Sequence, residues 1–149
     1  DNADAYLERA TLKMQLDSTE NLVADLTKVL RLEPERKDVL LQRAQVQLEN
    51  KNYQAAINDY NAYLEDEPTA IAIYLARAEA KISAQKFQQA LSDFDKVIEL
   101  KPESPEAYYE RGKLRYYFLQ EQEEACADWQ KAARLGSSKA QLWYTEECE

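Results

Sequence analysis

Histidine is absent from this chain. That removes the commonest general base and the commonest metal ligand. Only two glycines occur, Gly112 and Gly136, so there is no glycine-rich loop to cradle a phosphate. Two cysteines, Cys126 and Cys148, are too few for a zinc site without histidine. No apolar run approaches the ~18 residues that a membrane span needs, and no basic-then-apolar signal segment stands at the start. The chain opens on Asp1 rather than Met, which carries the expectation that a preceding segment was removed. Positive charge is scarce: 19 Lys and Arg face 28 Asp and Glu, a net charge of −9. A surface this acidic repels phosphate backbones and anionic lipid heads, which argues against nucleic acid and against direct membrane insertion. No metal and no cofactor is expected.

What is present is a period. The 149 residues suit one domain, and 45% of them are apolar, enough for a sizeable core. Pro34, Pro68 and Pro102 lie 34 residues apart, and so do Arg9, Arg43, Arg77 and Arg111. Ala56 and Ala90 keep the same step, and Ala125 follows one residue late. Asp25, Asp59 and Asp93 repeat likewise, with Asp128 again one late. The stretch from Ile71 to Pro102 reads as two helices and a tight turn. Tyr74, Ala78 and Ile82 recur at helical spacing, then come Phe87, Ala90, Leu91, Phe94, Val97 and Ile98. Pro102 stops the second helix, because it has no N–H and clashes with the preceding turn. Such a hairpin has apolar residues on more than one face and needs neighbours of its own kind. Helices of about 12–14 residues are marginal alone, so stability comes from stacking. A fixed period of this length marks a solenoid of helix–turn–helix units.

The residues resemble the tetratricopeptide repeat (TPR) motif: a large residue, a pair three and four later, an Ala-x-x-x-Phe in the second helix, then Ala and Pro. The copies are Tyr74-x-x-Arg77-Ala78 with Ala90-x-x-x-Phe94, Val97 and Pro102; Leu40, Arg43-Ala44, Ala56-x-x-x-Tyr60, Tyr63 and Pro68; Tyr6, Arg9-Ala10, Leu26, Val29 and Pro34; and Tyr108, Arg111-Gly112, Ala125-x-x-x-Trp129, Ala132 and a Gly136 stop. The resemblance implies an all-α fold, a right-handed α-solenoid of four units at about 3–36, 37–70, 71–104 and 105–139, with a capping helix at 139–149 that turns Leu142 and Trp143 inward. Leu22 stands where a small residue is expected, so the first two helices should pack less closely. The extra residue of the last unit is expected in its turn, around Leu119 to Gln122. Ser104 before Pro105 should cap a helix, Thr69 should do the same in the third unit, and Gly136 should end one.

The pairs Arg9/Asp25, Arg43/Asp59, Arg77/Asp93 and Arg111/Asp128 join the first helix of each unit to its second and read as structural salt bridges. An arginine ladder for an anionic ligand would not need an aspartate repeated in step. Cys126 occupies the slot of Val23, Ile57 and Leu91, so it reads as a small core residue or as one half of a disulfide to Cys148. Such a bridge would tie the cap helix to the last unit and imply an oxidising compartment.

By the same resemblance the first helix of each unit lines a concave groove. Its fifth positions are Leu7, Leu41, Leu75 and Tyr109; its ninth are Thr11, Gln45, Glu79 and Lys113. The twelfth are Met14, Leu48, Ile82 and Tyr116, with Tyr117 beside the last. The twelfth positions read mainly as inter-helix core. Asp4, Asp38, Glu106, Glu8 and Glu110 make the edge acidic. The expected guest is a protein or peptide segment with apolar anchors and some positive charge. The Lys, Asn and Arg clamp of the chaperone-tail TPR subset is missing: Leu7, Thr11, Gln42, Ala72 and Ala76 hold the relevant kinds of position. The carboxylate pairs Glu123-Glu124 and Glu146-Glu147 read as solvated helix ends rather than acid–base machinery, and no nucleophile has a histidine base, so no enzyme is expected. The alternative to a groove adaptor is a structural or self-assembling scaffold domain of an envelope complex, using repeat ends or the convex face, homo-oligomers included. The tail from Ala125 to Cys148, with its Cys-x-Asp-Trp-x-x-Ala-x-x-Leu-Gly run, is similar to the last unit of TPR proteins common in Bacteroidetes-type bacteria. That resemblance favours the periplasm or cell envelope over the cytoplasm.

Overall fold

The structure is a computed structural model that describes residues 2–16 and 21–149; Asp1 and residues 17–20 lie outside the described residues. Among the described residues all regular structure is helical. The helices are α1 (Ala3–Gln15), α2 (Leu22–Leu32), α3 (Lys37–Glu49), α4 (Tyr53–Asp66), α5 (Ile71–Ser83), α6 (Phe87–Leu100), α7 (Pro105–Leu114), α8 (Gln122–Arg134) and α9 (Ser138–Cys148). They pair as four hairpins, α1–α2, α3–α4, α5–α6 and α7–α8, and α9 packs on α8. The chain forms two compact units, Asp1–Pro68 and Thr69–Glu149. No helix among the described residues is long and apolar enough to cross a membrane.

Local chemistry sets the helix ends. The residues before Pro34, Pro68 and Pro102 are Glu33, Glu67 and Lys101, and each leaves the helix with ψ near 67–84°. The proline ring denies them the helical region. Ser104 accepts the N–H of Ala107 with Pro105 behind it, and Ser137 accepts that of Ala140. Thr69 does not cap α5: Ala70 holds that position and no side chain bonds there. Gly136, at φ +96°, closes α8 with bonds from its own N–H to Ala133 O and from Ser137 N–H to Ala132 O. That is a Schellman end, in which the left-handed residue satisfies the last carbonyls. The turns inside the second and third hairpins close the same way without glycine, on Lys51 and Gln85, both at φ 59°.

The extra residue of the last unit is not in its turn. Gln120 adopts the left-handed conformation of Lys51 and Gln85, and α8 starts two residues later as in the second and third hairpins. The insertion is absorbed just before it, where Arg115–Leu119 widen into a single π-helical turn. A π-turn adds one residue without lengthening the helix by a full step.

Within each compact unit a hairpin's core is completed by the helix that follows it. In the first unit, Ala10, Leu22, Leu26 and Val29 of α1 and α2 pack with Val39 and Val46 of α3. In the second unit, Ala78, Ala90 and Phe94 of α5 and α6 pack with Leu114 of α7, and Ala125, Trp129 and Ala132 of α8 pack with Ala140 of α9. Leu22 is buried in this core although a small residue was expected there. In α9, Trp143 faces the protein but Leu142 does not: it is 56% exposed, and Ala140 and Tyr144 take the inward positions.

Candidate functional site

Four buried carboxylates anchor the hairpins. Asp25, Asp59, Asp93 and Asp128 are all nearly inaccessible. Each accepts two bonds from the arginine of its own hairpin, with Nε at 2.9 Å for Arg9, Arg43 and Arg111 and 3.0 Å for Arg77. The fork geometry of guanidinium on carboxylate makes the pairing bidentate. Each aspartate also takes a third donor that the period did not single out, one helical turn beyond the arginine. These are Lys13 at 2.9 Å, Gln47 at 3.0 Å, Lys81 at 2.7 Å and Arg115 at 2.7 Å. Burial depresses Lys81, partly offset by its bond to Asp93. The bond from Arg9, helped by Lys13, holds the Asp25 carboxyl below its ordinary range. Arg43 also donates to Thr27 at 3.1 Å and Arg111 to Asp95 at 2.6 Å, which ties each to the second helix of the hairpin before it. All eight side chains are thus engaged within the fold.

The first helices leave a different face. In the first unit, Leu7 packs half-buried on the core, Leu41 is half-buried, and Thr11 and Gln45 are exposed. In the second unit, Leu75 packs at the edge of the core, with Glu79 one turn on and exposed. Desolvation and the charges of Glu110 and Glu106 push the Glu79 carboxyl up, with Lys113 opposing them. Lys113 binds Glu110 at 2.7 Å and lies 5.2 Å from the ring centre of Tyr109. Leu75 and Tyr109 thus sit beside three carboxylates and one lysine.

Tyr116 and Tyr117 belong to an aromatic cluster rather than to that face alone. Tyr116 packs on Trp129 at 5.3 Å, Trp129 on Trp143 at 5.4 Å, and Tyr117 edge-on to Trp143 at 5.6 Å. The hydroxyl of Tyr116 donates a short bond to Glu147, which raises its pKa. Cys126 and Cys148 are joined in a disulfide beside it, 5.8 Å between Cα atoms, which pins the end of α9 to α8. Glu123, Glu124 and Glu146 are exposed. No group of three or more His, Cys, Asp or Glu among the described residues is placed to hold a metal ion.

A family model described as tetratricopeptide repeat matches residues 23–71 and 75–140. No curated protein matches. Among solved structures, MamA 41-end from Desulfovibrio magneticus RS-1 shares 18% identity over 90% of this chain and 75% of its own, with a TM-score of 0.75. A tetratricopeptide repeat protein from Parabacteroides merdae ATCC 43184 shares 23% identity over 94% of this chain, with a TM-score of 0.81; the match spans 56% of that protein. At these identities the likeness is one of fold.

Proposed function

The chain belongs to the tetratricopeptide repeat family, and from that premise we propose that it is a non-catalytic protein–protein interaction module whose first-helix faces receive a partner segment. The faces are those of α1 with α3 and of α5 with α7. Leu7, Leu41, Leu75 and Tyr109 offer apolar contact; Thr11, Gln45, Glu79 and Lys113 stand one turn on, and Tyr116 and Tyr117 close the aromatic end. One observation carries the reading: Leu75 and Tyr109 lie among Glu79, Glu106 and Glu110, and the Glu79 carboxyl is pushed up by desolvation and by its acidic neighbours. A cationic side chain over an apolar floor relieves that repulsion, so the guest is apolar with positive charge. Calorimetry with Leu/Lys and Leu/Glu peptides of equal length tests this. The basic peptide should bind, weaken with salt, and lose binding to a Leu75→Glu, Tyr109→Ala double variant that keeps its helical spectrum. Equal affinity for the acidic peptide, or an unaffected double variant, refutes it.

A second reading, a scaffold that associates through its repeat ends, is supported by α1. Val46 and Leu114 are buried against the hairpin before them, whereas their equivalent Leu12 is 58% exposed, with Leu16 at 77%. Sedimentation across a concentration series, with Leu12→Lys as the control, separates the two readings.

A further inference from the structure

Leu40 breaks a pattern that the other three units keep. The fourth residue of each unit is Tyr6, Leu40, Tyr74 or Tyr108. In three of them the tyrosine ring lies against the guanidinium three residues on, at 5.4 Å for Arg9, 5.2 Å for Arg77 and 5.4 Å for Arg111. Arg43 is held by Asp59 and Thr27, but the residue in the ring's place is Leu40. A cavity of about 460 Å³ opens there, between the first and second repeats and wholly within the compact unit Asp1–Pro68. Leu30, Pro34, Leu40 and Ala62 line it with carbon, and the guanidiniums of Arg31 and Arg43 line it too. Arg31 is exposed and makes no ion pair among the described residues. The acids Glu65 and Asp66 also line it together with Lys37, which pairs with Asp66 at 3.9 Å and Glu67 at 2.8 Å.

We propose that this cavity is a binding pocket for an aromatic side chain of a partner peptide that carries a carboxylate beside the aromatic residue. The ring takes the place of the absent tyrosine, its face toward the Arg43 guanidinium, and the carboxylate pairs with Arg31. An aliphatic side chain fills the carbon-lined part but offers Arg43 no π-face, and a cationic one meets two guanidiniums. The preference is opposite in charge to that of the first-helix faces, so the two sites are separable by experiment and neither depends on the other.

The test is an NMR titration of the ¹⁵N-labelled chain with acetyl-Tyr-Glu-amide, acetyl-Tyr-Lys-amide and acetyl-Leu-Glu-amide. The first should give saturable shifts confined to the amides around Leu30, Arg31, Leu40, Arg43 and Ala62, and the other two should bind several-fold more weakly. Leu40→Tyr should fill the cavity from within, abolish those shifts and raise the melting temperature. Arg31→Gln, which leaves the cavity open, should bring acetyl-Tyr-Glu-amide down to the level of acetyl-Tyr-Lys-amide and so decides the case even if Leu40→Tyr fails to fold. Absent saturable shifts in the parent chain, shifts that persist in folded Leu40→Tyr, or equal binding of all three peptides overturn the proposal.

Discussion

The first and last hairpins carry the same ion pair in different settings. In the first, Asp25 is buried but its partner Arg9 is 56% exposed. In the last, Asp128 is held by Arg111 and Arg115, only 15% and 18% exposed. The outer side of α1 carries exposed Leu12 and Leu16, whereas α8 is covered by α9, pinned by the disulfide and packed through Trp129 and Trp143. An Arg–Asp pair at a fixed spacing is therefore not a fixed quantity. What covers it decides how much it stabilises, because desolvation controls both the attraction and the penalty of losing one partner.

Removing the carboxylates should break this comparison most visibly. Asp128→Ala removes the one buried carboxylate from two little-exposed guanidiniums, leaving Arg111 only the half-exposed Asp95 and Arg115 only Glu121 at 3.6 Å, and should cost about 3–5 kcal/mol in urea unfolding. Asp25→Ala should cost clearly less, since Arg9 can return to water; equal losses would show that position in the array does not matter. Next comes the disulfide, which closes a separation of 22 residues. Cys148→Ser should cost about 3 kcal/mol and raise hydrogen exchange across α9, while the amides of α1 stay unchanged. Gly112 follows. A Cβ there would sit 2.6 Å from Trp129 Nε1 and 3.2 Å from Ala125 O. Gly112→Ala should therefore cost about 1–3 kcal/mol, against the usual helix gain of alanine, and Trp129→Phe in the same chain should recover part of it. The equivalent Ala10 shares its core with the smaller Leu26, and Ala10→Gly should lose the helix propensity of about 1 kcal/mol together with about 1 kcal/mol for its buried methyl. The smallest effect is on pH dependence. The Asp25 carboxyl lies below its ordinary range when folded, so its contribution is complete above that range and is lost as pH falls through the folded value. Asp25→Asn should lower stability at neutral pH and flatten the acid limb of a stability–pH curve.

Much of this was legible in the residues. The period located the hairpins, and the repeated Arg and Asp identified their partners across each seam. The third donor was hidden because Lys13, Gln47, Lys81 and Arg115 keep the spacing but not the residue type; only their shared ability to donate marks them. The late register of Asp128 announced one extra residue, but composition does not tell a turn insertion from a widened helix, and the structure put it in the helix. Leu142 was misread because α9 is short and has no facing second helix to impose a period, so hydrophobicity alone pointed it inward. For Cys126 the core position and the bridge were not competing answers: the side chain is partly buried and bridged at once. The first-helix leucines are half-buried, a state that spacing cannot distinguish from full burial or full exposure.

The π-turn at Arg115–Leu119 bears on how such a chain can change its length. One added residue would rotate everything after it by about 100° if the α-helix simply continued, and Asp128 would face away from Arg111. Widening a single turn confines the disturbance to five residues, and beyond it the left-handed Gln120, the start of α8 and the Arg111–Asp128 bond keep the relations found in the second and third hairpins. The site behaves as an expansion joint. The aromatic residues in the joint, Tyr117 and Phe118, are half exposed yet still packed, Tyr117 edge-on to Trp143 and Phe118 stacked on Phe87 at 4.6 Å, so the widened turn carries its extra residue without giving up its contacts.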